Sequence, residues 1–316
     1  MKRVHHNTIR AGLAALLAVA LSALLLVGGT APASATNKSQ HKHRHQQLIA
    51  VKGQVATPAS YTAADLAAMT QTTLPDLRNR RPGPDLSGVL LESLITTAGP
   101  QTPAVKNADL RVSIVITGRR GAVAATLAEL QPRFGNHPAL LVTQGHGRQA
   151  RTDLVFPGDR GYQRTVQGIR SITVSVADPA LPTGLPSGAI TISTDRGAVI
   201  LTARRLAKLP RLTRTVTFTS GSGQQTRVES GPTLAAVLRA AHVRTSPTSV
   251  VSAIADDGYV STVTPGEATS GRRTLLVSLV EDGTPPTQPR LVTDGDIAGG
   301  RYVSGLLGLQ VTDTCR

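Results

Sequence analysis

The chain has 316 residues but no tryptophan, only three phenylalanines and four tyrosines, and a single cysteine. One cysteine excludes an intramolecular disulfide and any cysteine-rich metal site, and Cys315 sits beside the C-terminus, where chain ends seldom carry function. The scarcity of aromatic rings removes the platforms on which bases stack, so no nucleic acid is expected as a partner. Acidic residues are also few: 19 against 34 lysines and arginines, a formal charge of +15. Long apolar runs are missing everywhere except near the start, so no later segment is expected to span a bilayer.

That first run belongs to a three-part pattern. Lys2, Arg3 and Arg10 form a basic region, Ala11 to Val27 an apolar stretch, and Ala33-Ser34-Ala35 a small-residue cleavage site. Residues 1–35 read as a signal peptide, with the mature chain starting near Thr36. The run is short for a spanning helix and is broken by Ser22, which favours cleavage over a retained anchor. The expected product is soluble and secreted or held in the cell envelope. Removing three basic and no acidic residues leaves +12, a charge suited to an anionic envelope polymer or a small anionic ligand. Residues 36–47, TNKSQHKHRHQQ, have almost no apolar side chains and are expected to be a disordered basic tail. Its His41, His43 and His45 alternate with Lys42 and Arg44, a pattern that suits weak adventitious metal binding.

The folded part carries a long-period repeat. Leu154 to Val174 matches Leu291 to Val311 without gaps at an offset of 137, with eight of 21 positions identical, among them Gly158/Gly295, Asp159/Asp296 and Arg164/Arg301. A period this long indicates two copies of a whole domain rather than a solenoid. We place the first copy at 48–177 and the second at 189–316. Between them, residues 178–188 hold three prolines and two glycines, the composition of a stiff linker.

Strands are expected at Ile49 to Val55 and from Ile190, and again at Val112 to Thr117 and Val250 to Ala255, with tight turns after each of the latter two. Leu140 to Val142 and Leu275 to Val277 follow, and the repeated segment supplies two more strands per copy. Thr62 with Asp65 marks a capped helix start, and a second helix runs from about Thr202 to Leu209 before Pro210. After Ser87-Gly88 and Ser230-Gly231, apolar residues recur at helical spacing: Leu91, Leu94, Ile95 and Ala98, then Leu234, Val237, Leu238 and Ala241. The expected fold class is α+β, two tandem copies of a mostly β domain with two short helices each. A parallel doubly wound sheet is excluded by the irregular alternation of elements.

In the second copy, Asp257-Gly258-Tyr259, Glu267, Arg290-Leu291-Val292, Gly295-Asp296 and Gly299-Gly300-Arg301-Tyr302-Val303-Ser304 stand in a recognisable order. With Ser87-Gly88, Glu129, Pro138 to Val142 and Gly158-Asp159 in the first copy, this order resembles the oxidoreductase molybdopterin-binding domain of the sulfite oxidase family. The first copy departs from it, with Arg120-Gly121-Ala122 in place of Asp-Gly-Tyr. The resemblance implies a sulfite-oxidase-catalytic-domain-like fold and, in active members, molybdenum held by a cysteine thiolate beside the pterin dithiolene. The corresponding stretches here are Thr217 to Gly223 and Leu77 to Arg81, and neither contains cysteine. The leader, Lys2-Arg3-Val4-His5-His6, lacks the twin arginines associated with export of cofactor-loaded proteins.

No catalytic or metal-binding residue is assigned. Ser220, Tyr259 and Arg301 are the candidate cofactor contacts: Ser220 as an oxygen ligand in place of the thiolate, Tyr259 at a pocket rim, Arg301 for an anion or pterin. For Arg301 and Arg164 the competing structural role, tying the Gly-Asp turn to the following strand, is preferred because it occurs in both copies. Asp256-Asp257-Gly258 reads as a hairpin turn. His137, His146 and His242 have no ligand-like spacing and are expected as isolated surface or loop residues. Gly145-His146-Gly147 has no partner for a nucleophilic triad. Arg204, Arg205, Lys208, Arg211 and Arg214 form the densest basic run, expected as a solvated face.

These features favour a secreted, non-catalytic binding or interaction module without cofactor. An active molybdopterin-dependent oxidoreductase with an oxygen ligand, and a basic envelope protein that holds anionic polymers, stay open as alternatives. Oligomeric state and ligand identity are left open by the sequence.

Overall fold

A computed structural model of the chain describes residues 47–145 and 147–313. The segment expected to be a signal peptide, nearly all of the expected basic tail, His146 and Cys315 lie outside the described residues.

In the first half, up to the Pro/Gly segment, the elements are β1 (Ile49–Gly53), β2 (Ala59–Tyr61), α1 (Ala63–Ala68), β3 (Thr72–Leu74), β4 (Leu86–Leu90) and α2 (Leu91–Ala98). They continue with β5 (Val112–Thr117), β6 (Ala122–Thr126), α3 (Leu127–Leu130), β7 (Leu140–Gln144), β8 (Arg151–Val155) and β9 (Ser171–Val176). The second half opens with β10 (Ile190–Thr194), β11 (Gly197–Leu201), α4 (Ala203–Ala207), β12 (Leu212–Ser220), β13 (Gly223–Gly231) and α5 (Leu234–Ala240). It closes with β14 (Ser249–Ala255), β15 (Val260–Val263), α6 (Pro265–Thr269), β16 (Leu275–Ser278), β17 (Val280–Glu281), β18 (Arg290–Thr293) and β19 (Leu306–Asp313). The fold is α+β and mostly β.

Two five-stranded sheets have the same design. One runs β2-β1-β9-β5-β6 and the other β11-β10-β19-β14-β15. In each, a single parallel pair (β1 with β9, β10 with β19) joins the first and last strands of its half, and the other pairs are antiparallel. Each sheet packs over its own apolar core. The α2 stripe Leu91, Leu94, Ile95 and Ala98 is buried with Ile114, Ile116 and Ile172, and Leu234, Val237 and Leu238 of α5 with Val251, Val263 and Leu309.

Threonines start five of the six described α-helices, α2 being preceded by Leu90 without a side-chain cap. Thr62, Thr126, Thr202, Thr233 and Thr264 are N-caps whose hydroxyls accept a backbone N–H from the first turn, satisfying a donor that the helix leaves orphaned. The expected count of two helices per half is corrected by α3 and α6. Each is only about one turn long and shows no apolar periodicity; a threonine cap and burial hold it. The stretch containing Ser220 forms the long hairpin β12–β13, with register from Leu212↔Gly231 to Ser220↔Gly223.

The halves also share an interior. Val115, Ala124 and Val250 form one cluster across them, the Ala124 amide donates to the Pro247 carbonyl at 2.8 Å, and the Thr262 hydroxyl donates to the Leu110 carbonyl at 2.8 Å. Residues 47–145 and 147–313 accordingly fall within one compact unit.

The paired Ser-Gly motifs have a steric cause. A Cβ on Gly88 would come within 2.6 Å of the Leu141 carbonyl oxygen, and one on Gly231 within 2.0 Å of that of Val277, so only glycine lets these strands approach β7 and β16. We predict that Gly231→Ala costs about 1–3 kcal/mol of stability by forced overpacking, whereas Gly221→Ala, with nothing within 4 Å, is near neutral. Equal midpoints for the two variants in thermal unfolding would contradict this account.

Candidate functional site

Two buried ionic clusters occupy equivalent places in the halves. In the second, Arg301 is 0% exposed. Its Nε and Nη2 donate to the two Asp296 oxygens at 2.7 and 2.6 Å, and Nη1 donates to Glu267 Oε2 at 2.5 Å. In the first, Arg164 Nε and Nη2 donate to Asp159 at 2.9 and 2.6 Å, and Nη1 donates to Glu129 Oε1 at 2.5 Å. The guanidinium fork fits a carboxylate bidentately, and its third nitrogen is left to the glutamate of the one-turn helix. Burial alone would lower both arginine pKa values, but the adjoining carboxylates outweigh it and hold both above the ordinary value.

The clusters meet at the seam between the halves. A Cβ on Gly266 would lie 2.9 Å from Arg164 Cδ, and one on Gly271 2.9 Å from Arg164 Nη2, so these second-half glycines make room for the first-half arginine. Arg273 Nη2 returns the contact by donating to the Gly135 carbonyl, and the Ile297 amide donates to the Phe134 carbonyl at 2.9 Å.

The clusters differ at one equivalent position. The amides of His137 and Arg273 both donate to the carbonyl of their cluster's glutamate, Glu129 and Glu267, at 2.9 and 3.1 Å. The imidazole Nε2 lies 2.7 Å from Asp159 Oδ1, whereas Arg273 Nη1 is 3.9 Å from Asp296 Oδ1. Burial raises both aspartates, but hydrogen bonds from His137 and Arg164 outweigh it at Asp159 and bring its pKa below the ordinary value; Asp296, without a close second partner, stays above. His137 therefore corrects the expectation of an isolated surface residue: it is buried, stacked near Phe156 and bonded to Asp159. Spacing along the chain could not show a tertiary partner 22 residues away.

The glutamates differ too. Glu267 completes a capping box, its Oε1 accepting the Thr264 amide at 3.0 Å. Glu129 lacks that return bond, and its Oε2 is a buried oxygen with no partner among the described residues. Burial pushes the Glu129 carboxyl up to about 7, with Glu267 adding to the shift and Arg164 and His137 opposing it. The sequence carried a signal for both glutamates in the Thr-x-x-Glu spacing of 126–129 and 264–267.

The three candidate cofactor contacts line no common cavity among those described. Ser220 lies at the hairpin tip, where its hydroxyl donates to the Gly223 carbonyl at 3.2 Å and accepts the Ser222 amide at 3.2 Å. Tyr259 bridges the halves, its hydroxyl donating to the Gly300 carbonyl at 2.6 Å and accepting from Asn107 Nδ2 at 3.2 Å. Arg301 is fully engaged inside its cluster. None of the three lines any of four cavities of about 300–710 Å³. Among the described residues no group of three or more His, Cys, Asp or Glu side chains is arranged to hold a metal ion. With no cysteine among the described residues and the candidate side chains engaged in their own hydrogen bonds, the described residues do not fit a molybdenum-pterin group.

A different set of side chains does converge. A cavity of about 560 Å³ is lined by Arg78, Arg80, Arg160 and Arg272 with Asn79, and no acidic residue among the described residues lines it. Arg78 and Arg80 belong to the Leu77–Arg81 stretch, whereas Arg160 follows Asp159 and Arg272 follows α6. The expected basic run on α4 is exposed as anticipated at Arg204, Arg205 and Lys208.

Two outcomes follow for the clusters. Replacing Arg301 by methionine leaves two buried carboxylates without their cation and is expected to cost about 3–5 kcal/mol in denaturant unfolding, or to prevent folding. For Glu129, the folded state retains a proton that the unfolded chain, at an ordinary 4.5, releases. Its contribution is therefore complete below pH 4.5, falls as pH rises and is lost above about 7. Unfolding free energies from pH 4 to 8 should decline less steeply in Glu129→Gln than in the parent; parallel curves would remove Glu129 as the source.

No family model matches the chain, and no curated protein does. Among solved structures, the crystal structure of the sulfane dehydrogenase SoxCD from Paracoccus pantotrophus is similar at 13% identity and a TM-score of 0.30, covering 81% of this chain and 77% of that one.

Proposed function

We propose that the chain is an exported, non-catalytic binding module made of two copies of a sulfite-oxidase-like domain, 48–177 and 189–316, whose ligand is anionic. The repeated Gly-Asp and Arg positions, the matching strand orders of the two sheets and the family-like closing motif support the duplication and the resemblance. The observation that carries the loss of catalysis is the fate of the two stretches where the resembled family places its thiolate. One is an arginine-rich loop, Leu77 to Arg81, and the other is the tip of an exposed hairpin around Ser220. Function belongs to the site rather than to the fold, and here the soft ligand gives way to positive charge in the first stretch and to uncharged hydroxyl and glycine residues in the second. An anionic partner follows from that charge and from a mature net charge of +12.

Protein purified from its native compartment is expected to contain far less than one molybdenum per chain by elemental mass spectrometry and no pterin fluorescence after oxidation. Ser220→Ala is expected to leave thermal stability unchanged. Stoichiometric molybdenum that disappears with Ser220→Ala would establish the oxidoreductase with an oxygen ligand instead.

A further inference from the structure

We propose that the arginine-lined cavity at the seam is a binding site for a polyvalent phosphate, a proposal that rests on the anionic-ligand reading and names its place and chemistry. Three observations carry it.

The charge is uncompensated. Arg78 is neutralised by Asp76, with Nε and Nη2 each 2.7 Å from a carboxylate oxygen. Arg80, Arg160 and Arg272 are exposed, and among the described residues no carboxylate lies within ion-pair distance of any of them. Three like charges around one concavity repel each other, and a compact polyanion relieves all three repulsions at once.

The walls are braced before any ligand arrives. Arg272 Nη2 donates to the Leu77 carbonyl at 2.9 Å, the Arg160 amide to the Ser270 carbonyl at 2.7 Å, and the Gly161 amide to the Arg78 carbonyl at 2.9 Å. Asn79 Nδ2 donates to the Tyr162 hydroxyl at 2.6 Å, and the Arg78 guanidinium lies 4.5 Å from the centre of the Tyr162 ring. Three loops from both halves are thereby locked together, so little ordering remains to be done on binding.

The lining selects the chemistry. Planar guanidinium forks match phosphate oxygens bidentately, and the Asn79 side-chain amide sits beside them. A volume of about 560 Å³ falls within the range of small-molecule pockets and exceeds what one inorganic phosphate needs, which favours two or more linked phosphoryl groups. Linked phosphates reach such a site either as a free oligophosphate or as a stretch of a phosphodiester polymer.

Isothermal titration calorimetry on the mature, metal-free chain at fixed ionic strength tests this, with tripolyphosphate, a short poly(glycerol phosphate) and citrate as titrants. Tripolyphosphate is expected to bind at one site per chain and at least tenfold tighter than citrate. Tighter binding by poly(glycerol phosphate) would make the polymer the source, and tighter binding by tripolyphosphate the free ligand. Arg80→Gln/Arg160→Gln is expected to weaken binding at least tenfold with an unchanged thermal midpoint. Arg204→Gln/Lys208→Gln, which removes the same charge from the exposed face of α4, is expected to leave it within twofold. Equal losses in the two double variants, or no saturable tripolyphosphate binding, overturn the site. That failure is separable from failure of the functional reading, which only molybdenum in the native protein would reverse.

Discussion

Two guanidiniums without access to bulk water are the constraint around which this molecule is arranged. Removing an arginine from solvent is tolerable only if its charge is matched and its donors are used, and Arg164 and Arg301 each meet that demand with one aspartate and one glutamate. The aspartate is supplied by the Gly-Asp turn five residues before. The glutamate requires a one-turn helix started by a threonine, and the approach of the other half requires glycine at 266 and 271. Turn, helix and seam are thus consequences of one buried charge per half.

The clusters are not copies in their electrostatics. A histidine faces Asp159 where an arginine faces Asp296, and Glu129 lacks the backbone bond that Glu267 makes. Charge in the second cluster is fixed by two arginines, whereas the first contains a carboxyl whose proton equilibrium falls near neutrality.

Much of this was legible in the chain. The strands at 112–117 and 250–255 and the two apolar helical stripes follow from local pattern, and the structure places them where that pattern puts them; the arginine five residues after each Gly-Asp turn ties to that turn's aspartate. The one-turn helices were missed because four or five residues show no periodicity, although their Thr-x-x-Glu spacing was present. His137 was misplaced because its partner is set by tertiary packing. The arginine cavity was out of reach for the same reason: Arg78 and Arg80 stand in one visible run, but Arg160 and Arg272 join them only when the halves close on each other.

The close fit of Arg164 against Gly266 and Gly271 has an evolutionary consequence. A larger residue at Gly266 is tolerated only alongside a smaller one at 164, which would in turn strand Asp159 and Glu129, and at Gly271 the Glu267 carbonyl oxygen, 2.8 Å from an added Cβ, adds a second obstacle. Positions separated by about a hundred residues of chain are therefore bound into one heritable unit. Although the sequence looks like two independent repeats, neither half is free to drift along this seam without the other.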